Sequence, residues 1–300
     1  MRKQYLCLAL SIVFGLLVPS CSINKMAMKA VSNALTKEGS SDVFTSDPDP
    51  KLVGDALPFA IKMYESLLSA NPGHQGLLRT TGSLYVMYAN AFVQKPAEMM
   101  PRYQYEEKGA ALERAGKLYL RGLDLLYRSL ELKKDDVPSL YWAAVAGVSS
   151  YGLNPFDLGL GGRVGEFLAL ADRAYELDPD FNSGALDEFF LLFYAQVPET
   201  LGGDKSKAEI HYRKALEKSK GLLASPYVSY AQAVSIPAQD YDTFKACLET
   251  ALAIDPDEDP KNRLVNVISQ KKARYLLDSA SYFFFGLDAD EDWDWEDGDY

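Results

Sequence analysis

Three helix stops of the same chemistry punctuate this chain. Asn71-Pro72-Gly73, Asp178-Pro179 and Asp255-Pro256 each end a run rich in apolar residues; the last two runs are Ala171 to Leu177 and Ala246 to Ile254. A proline removes a backbone donor and pushes its predecessor out of the helical region, so a helix ends there. Before the first stop, Leu52, Ala56, Leu57, Ala60, Met63, Tyr64, Leu67 and Leu68 follow three-and-four spacing, which predicts one apolar face of a helix. Asp55 is placed to cap its regular part, with Pro58 in the first turn. Alternating β-branched runs bounded by hairpin turns are absent from the sequence.

A fourth run, Ala208 to Ala215, sets Ala208, Tyr212 and Ala215 at offsets of four and three. Small, aromatic and small residues at such positions, with a proline closing the unit, resemble the tetratricopeptide repeat, whose second helix nests against its first. No strict 34-residue period holds, because insertions intervene. The expected fold is therefore all-α: a degenerate tetratricopeptide-like array, an α-solenoid of about four helix pairs plus extra helices, over residues 43–285. Tyr141 to Gly147 is rich in small residues and permits close helix packing. Phe44 to Pro50 reads as an extended loop and Leu153 to Gly165 as an irregular one.

The amino end carries an address. Met1-Arg2-Lys3 is followed by an apolar run from Leu6 to Val18, then by Leu17-Val18-Pro19-Ser20-Cys21. That run is too short to cross about 30 Å of hydrocarbon, which takes about 20 helical residues. It fits a secretory signal over residues 1–20. The cysteine after Val-Pro-Ser resembles a bacterial lipobox, which makes Cys21 the lipidated residue, with residues 21–42 a polar tether. Ser22, rather than an aspartate, is consistent with sorting to the outer membrane. Cys7 leaves with the signal, so Cys247 stands alone and no disulfide framework is possible. Its setting on an apolar helix face reads as a small buried hydrophobe.

Charge narrows the partners. The net charge is −11, and setting aside Arg2, Lys3 and the eight acids of residues 286–300 leaves about −5 for the body. A polyanion would be repelled, which argues against nucleic acid. Residues 286–300 read as an acidic solvated tail, in which Trp293 and Trp295 have no core to join. Two histidines make a histidine-rich metal centre improbable, and no cofactor motif is present. Gly159 to Gly165 fails the dinucleotide spacing and reads as a turn between helices. Gly202-Gly203-Asp204 lacks the Gly-Lys pair of a phosphate loop and reads as a helix start capped by Asp204. His74 follows a turn, and His211 reads as a surface or packing residue. No HExxH, cysteine pair or GxSxG occurs, and the chain reads as non-catalytic.

Aromatic residues stand out: nineteen tyrosines, fourteen phenylalanines and three tryptophans. Tyr85, Tyr88, Trp142, Tyr194, Tyr227 and Tyr230 fall on or beside expected inner helices. Two readings stay open for them. They fill gaps between paired helices, or some line a concave groove for a protein partner or an amphipathic ligand.

Phe44-Thr45-Ser46-Asp47-Pro48-Asp49-Pro50-Lys51-Leu52-Val53-Gly54-Asp55-Ala56-Leu57-Pro58 resembles the opening of the T-component family of TRAP transporters. So do Gly82-Ser83-Leu84 followed by Met87 to Val93, Pro198 to Asp204, Ser225 to Ser229, and Ala253 to Leu264 before a last helix holding Lys271, Lys272, Ala273 and Arg274. These motifs occur in one order over about 42–285, nearly the whole mature body. The resemblance implies a periplasmic lipoprotein of cryptic tetratricopeptide repeats, assembled as a homotrimer and associated with the solute-binding protein of a tripartite ATP-independent transporter. It also implies a channel for an apolar ligand. Tyr88 and Asn90 lie in one matching motif, and Arg263 and Arg274 in another; with Trp142, Tyr194 and Tyr227 they are the candidate ligand- or partner-binding residues.

The functional expectation is a lipid-anchored auxiliary of solute uptake. A helical-repeat scaffold for outer-membrane or envelope assembly explains the anchor and array equally well, but not the Phe44 to Pro58 motif. Several acyl chains hold a protein at a membrane because each buried methylene contributes about 0.8 kcal/mol. Cys21→Ser is therefore expected to move the protein from the membrane fraction to the soluble fraction with its fold intact. Full retention in membranes without accumulation of precursor would refute the lipobox.

Overall fold

The computed structural model describes residues 20–37, 39–40, 42–133 and 135–287, except for the side chains of residues 20–25 and 132. The signal core and the acidic tail with Trp293 and Trp295 lie outside the described residues; the backbone of Cys21 lies in the first turn of helix α1. Helices follow one another without a strand among the described residues: α1 Ser20–Leu35, α2 Asp42–Thr45, α3 Pro50–Ala70, α4 Gln75–Ala89 and α5 Lys95–Glu98. Then come α6 Tyr105–Leu132, α7 Val137–Leu153, α8 Leu158–Gly161, α9 Val164–Leu177, α10 Ala185–Gln196 and α11 Lys205–Lys218. The chain ends in α12 Ser225–Tyr230, α13 Ile236–Ala238, α14 Tyr241–Ala253 and α15 Arg263–Asp278. The all-α array expected from the sequence is present.

The stops work as their chemistry dictates. Asn71 and Asp178 are the C-caps of α3 and α9, and α14 ends two residues before Asp255. Asp204 caps α11, its Oδ1 accepting from the N–H groups of Ser206 and Lys207 at 3.0 and 3.2 Å. The start of α3 differs from expectation. Asp49 is its cap, accepting from Lys51 and Leu52 N–H at 2.9 and 3.1 Å, and the helix runs through Pro58. Asp55 instead pairs with Lys51 at 2.8 Å. The Phe44 to Pro50 segment is extended only in its second half, because Asp42–Thr45 forms one helical turn. The Leu153 to Gly165 loop holds another turn, α8, capped by Asp157.

Four helix pairs stack side by side: α4 with α6, α7 with α9, α10 with α11, and α12 with α14. The first member of each pair touches the first member of the next, and α12 touches α15, so these helices form an inner layer. Close approach requires small residues. A Cβ on Gly82 would lie 3.0 Å from the Gly122 carbonyl, and one on Gly122 would lie 2.9 Å from the Gly82 carbonyl. The backbones of α4 and α6 therefore meet at these two glycines. Likewise the Phe167 ring of α9, wholly buried, fills the space a side chain at Gly147 would need.

The array closes on itself. Leu264 and Ile268 of α15 pack into one apolar cluster with Val53, Leu57 and Ile61 of α3. Arg263 Nη1 donates to the Ser46 carbonyl at 2.8 Å across most of the chain. The end of α1 also docks here: Ser32 and Thr36 are buried, and Tyr64 donates its hydroxyl to the Leu35 carbonyl at 2.8 Å. His74 caps α4 with Nδ1 and meets Asn33 Oδ1 through Nε2 at 2.9 Å.

Gly147→Ala is expected to cost about 1–3 kcal/mol, because the added methyl must displace the Phe167 ring in a packed interior. Gly152→Ala, in the same helix with open space around its Cβ, is the control and should leave the melting temperature unchanged or raise it. Thermal denaturation of both variants checks this.

Candidate functional site

The inner helices show a consistent pattern. On α7, Ala143, Ala144, Ala146 and Gly147 are buried against the outer layer, while Tyr141, Trp142, Val145, Val148 and Ser149 keep partial solvent access. On α10 Ala185, Glu188, Leu192 and Ala195 are half-exposed along one face, and Tyr194 beside it; on α12 and its continuation the half-exposed positions include Ser229 and Gln232. These positions recur at three-and-four spacing, one face per helix. With α15 packed against α12 and α3, these faces belong to the inner layer of the array.

Every inner helix sends polar groups into this layer. Lys272 Nζ of α15 pairs with Glu98 Oε2 of α5 at 3.0 Å, the lysine side chain 5% exposed. Gln94 Nε2 donates to the other Glu98 oxygen at 2.8 Å, and Tyr119 donates its hydroxyl to Gln94 Oε1 at 2.7 Å. Asn90 and Ser149 lie beside the Tyr119 hydroxyl, which burial holds well above the usual phenol range. Glu188 of α10 accepts from Ser225 and Ser229 of α12 at 2.7 and 2.8 Å. Lys95 lies within electrostatic reach of Glu188, Glu98 and Lys272, and Tyr141 within reach of Glu188. Burial lowers the Lys95 pKa and raises that of Tyr141. The interior at this level is a polar belt.

Behind the belt, α10 is held to α11 by wholly buried Asp187. It meets His211 Nδ1 and Lys218 Nζ, each at 2.7 Å. Burial raises the Asp187 pKa, but hydrogen bonds from His211 and Lys218 outweigh it and leave the carboxyl below its ordinary value. His211 is thus a packing residue, stacked on Tyr194 with centroids 5.7 Å apart. Cys247 is buried beside the Tyr212 hydroxyl, and burial pushes its thiol pKa up.

The candidate residues fall in different places. Asn90 joins the belt through Tyr119, and Trp142 lies edge-on to Tyr141 at 5.0 Å. Tyr88 stacks on Phe92 with the Arg114 guanidinium 5.5 Å from its centroid. Tyr194 packs between α10 and α11 with Lys207 5.1 Å from its centroid, and Tyr227 lies edge-on to Tyr212 at 6.2 Å. Arg263 bonds Asp257 at 2.6 Å and the Ser46 carbonyl, a strap across the closure. Arg274 is exposed on α15. Lys95, Glu98, Glu188 and Lys272 were not among the candidates. A charge inside an otherwise apolar helix, as in Asn90-Ala91-Phe92-Val93-Gln94-Lys95, was the signal that could have found them.

A closed array of helix pairs with charged groups between its inner helices defines an α-helical repeat protein. No described helix is long and apolar enough to cross a membrane. The TRAP transporter T-component family matches residues 46–134 and 130–284. A protein of Treponema pallidum (strain Nichols), described as uncharacterized, is 34% identical over 305 residues, covering 90% of this chain and 94% of its own. The chain belongs to the TRAP transporter T-component family, an accessory component of a transporter.

Glu98→Gln removes the carboxylate from a buried lysine and is expected to destabilise by about 3 kcal/mol. Adding Lys272→Met to it should recover most of that loss, since an uncompensated charge is what makes the single variant costly. A double-mutant cycle from urea unfolding measures the coupling; additive losses would show that the two groups do not act as a pair.

Proposed function

We propose that this protein is the periplasmic, lipid-anchored auxiliary of a TRAP-type uptake system and that it docks the solute-binding protein on one rim of the closed array. The observation that carries the reading is the apolar surface of that rim, in a chain of this family. The inner helices run parallel, so the loops after α5, α7, α10 and α13 and the segment after α15 emerge at one end. There Tyr103 is 74%, Phe156 92%, Leu158 92% and Phe285 94% exposed. Three of the loops are tied together: Arg102 lies 4.4 Å from the Tyr282 centroid, and Gln239 exchanges hydrogen bonds with Phe283 and Phe285. Large exposed side chains on a braced frame suit a protein contact, where aromatic anchors supply most of the binding energy.

A lipid at Cys21 would keep the array at the membrane and raise the effective concentration of a weakly bound partner. Ser22 supports the outer membrane as the site of anchoring, and a homotrimer is the assembly the family resemblance implies. Affinity capture from solubilised native membranes is expected to recover a TRAP solute-binding protein. With Phe156→Ser/Leu158→Ser the recovery should fall at least tenfold, with the melting temperature unchanged because neither side chain is buried. Equal recovery by the variant would move the docking face elsewhere, and recovery of envelope-assembly proteins instead would reject the reading.

A further inference from the structure

Helix α1 presents two opposite sides. At its carboxyl end it is pinned to the array. The Leu35 carbonyl accepts from the Tyr64 hydroxyl at 2.8 Å, the Thr36 carbonyl accepts from Arg79 Nη2 at 3.4 Å, and Asn33 Oδ1 meets His74 Nε2 at 2.9 Å. Ser32 and Thr36 are buried in this joint. The other side of the helix carries no cover among the described residues. Met26 is 70% and Val31 47% exposed, and Ala27, Ala30 and Ala34 are exposed with them. Ile23 continues the series in sequence, so positions 23, 27, 30 and 34 keep the four-three-four spacing of one helix face, with Met26 and Val31 on its margins. Within Ser20–Leu35 no charged residue falls on this stripe.

Charge and covalent position say what covers it. Residues 20–37 hold Lys25, Lys29 and Lys37 and no acid, in a chain whose net charge is −11. Both lysines within the helix occupy positions on its polar side. An apolar stripe opposite a basic side is the pattern of a helix that lies in the plane of a bilayer with anionic phosphates. The helix also begins beside Cys21. Acyl chains on that cysteine place the first turn at the membrane surface, and about 20 Å of helix separates it from the joint at Leu35. Standing upright, this helix would leave its apolar stripe in water; lying flat, it buries the stripe.

We propose that α1 lies flat in the headgroup region of an anionic bilayer, its stripe of residues 23–34 toward the acyl chains, and that the joint at Leu35 and Thr36 thereby holds the array in one orientation on the membrane. The segment is an orienting surface rather than a slack tether. The proposal rests on acylation of Cys21, which supplies most of the binding, while the stripe supplies the direction.

The test is spin labelling of the lipidated chain in vesicles of phosphatidylethanolamine and phosphatidylglycerol. A Cys247→Ala background makes the introduced cysteine the sole free thiol. The label at Ala30→Cys is expected to collide with a water-soluble nickel chelate at least threefold less often on vesicles than in the vesicle-free Cys21→Ser form. A label at Phe59→Cys, on the exposed stripe of α3, should collide equally often in both. Adding Ala27→Glu/Val31→Glu should return the label at position 30 to its aqueous rate while the chain stays on the vesicles. The melting temperature of the soluble form should not change, because both positions are exposed. An aqueous rate at position 30 in vesicle-bound protein would overturn the proposal, as would shielding at position 59 instead. Shielding at position 30 without vesicles, lost on dilution, would assign the stripe to a second copy of the chain and also overturn it. A chain that fails to bind vesicles rejects the lipid reading and this proposal together, and mass spectrometry of Cys21 distinguishes that failure from the others.

Discussion

Closure of the array by α15 is the constraint on which the rest of the structure depends. An open stack of helix pairs would leave its inner faces as a wet groove, where the charges of Lys272 and Glu98 would cost little and bind little. Seating Leu264 and Ile268 against α3 closes that groove and lowers the effective dielectric around the Lys272–Glu98 pair, so each charge there matters more. The bonds that hold the closure are long-range: Arg263 to the Ser46 carbonyl and Lys272 to Glu98. Asn266, wholly buried on α15, accepts from Ala224 N–H and donates to the Leu222 carbonyl, each at 2.9 Å, fixing the turn before α12. Contacts this distant in sequence form only after the intervening chain is ordered, which makes the clasp a late event in folding.

Local chemistry was legible and long-range choice was not. The stops at Asn71, Asp178 and Asp255, the cap at Asp204 and the small-residue packing of α7 follow from backbone sterics within a few residues, and the sequence showed them. The face of α3 shows the opposite case. Val53, Leu57, Ala60, Ile61, Tyr64 and Leu68 are buried, whereas Leu52, Ala56 and Met63 face out beside Phe59. Both stripes have helical spacing, so periodicity identifies the helix without telling which stripe the fold covers; that is settled by α15, two hundred residues away.

The belt was hidden for a related reason. Tyrosines drew attention by number, yet Tyr194 and Tyr227 pack between paired helices, and the groups that distinguish the centre are isolated charges in apolar helices. One local signal did exist. Tyr88-Ala89-Asn90, Tyr194-Ala195-Gln196 and Tyr230-Ala231-Gln232 recur on three inner helices, each followed by a proline, at Pro96, Pro198 and Pro237. The Tyr-Ala-amide recurrence marks the inner layer better than the alanine and leucine content of the outer helices does. Its meaning is tertiary, since Asn90 lies beside the Tyr119 hydroxyl of the partner helix.

Two of these recurrences share a backbone irregularity that bears on the closure. Asn90–Gln94 and Ala231–Ser235 are π turns, in which Lys95 N–H reaches Asn90 O and Ile236 N–H reaches Ala231 O, and a proline stands two residues beyond each. The proline cannot donate to the next carbonyl and its ring crowds the preceding turn, so an inserted residue relieves a conflict that an ideal α-helix would have to break. One extra residue per turn also rotates everything downstream by about 100° around the axis. In the first inner helix the residues so rotated include Glu98, the carboxylate that clasps α15. The same insertion that accommodates Pro96 therefore sets the direction of Glu98, which pairs with Lys272 of α15 at 3.0 Å.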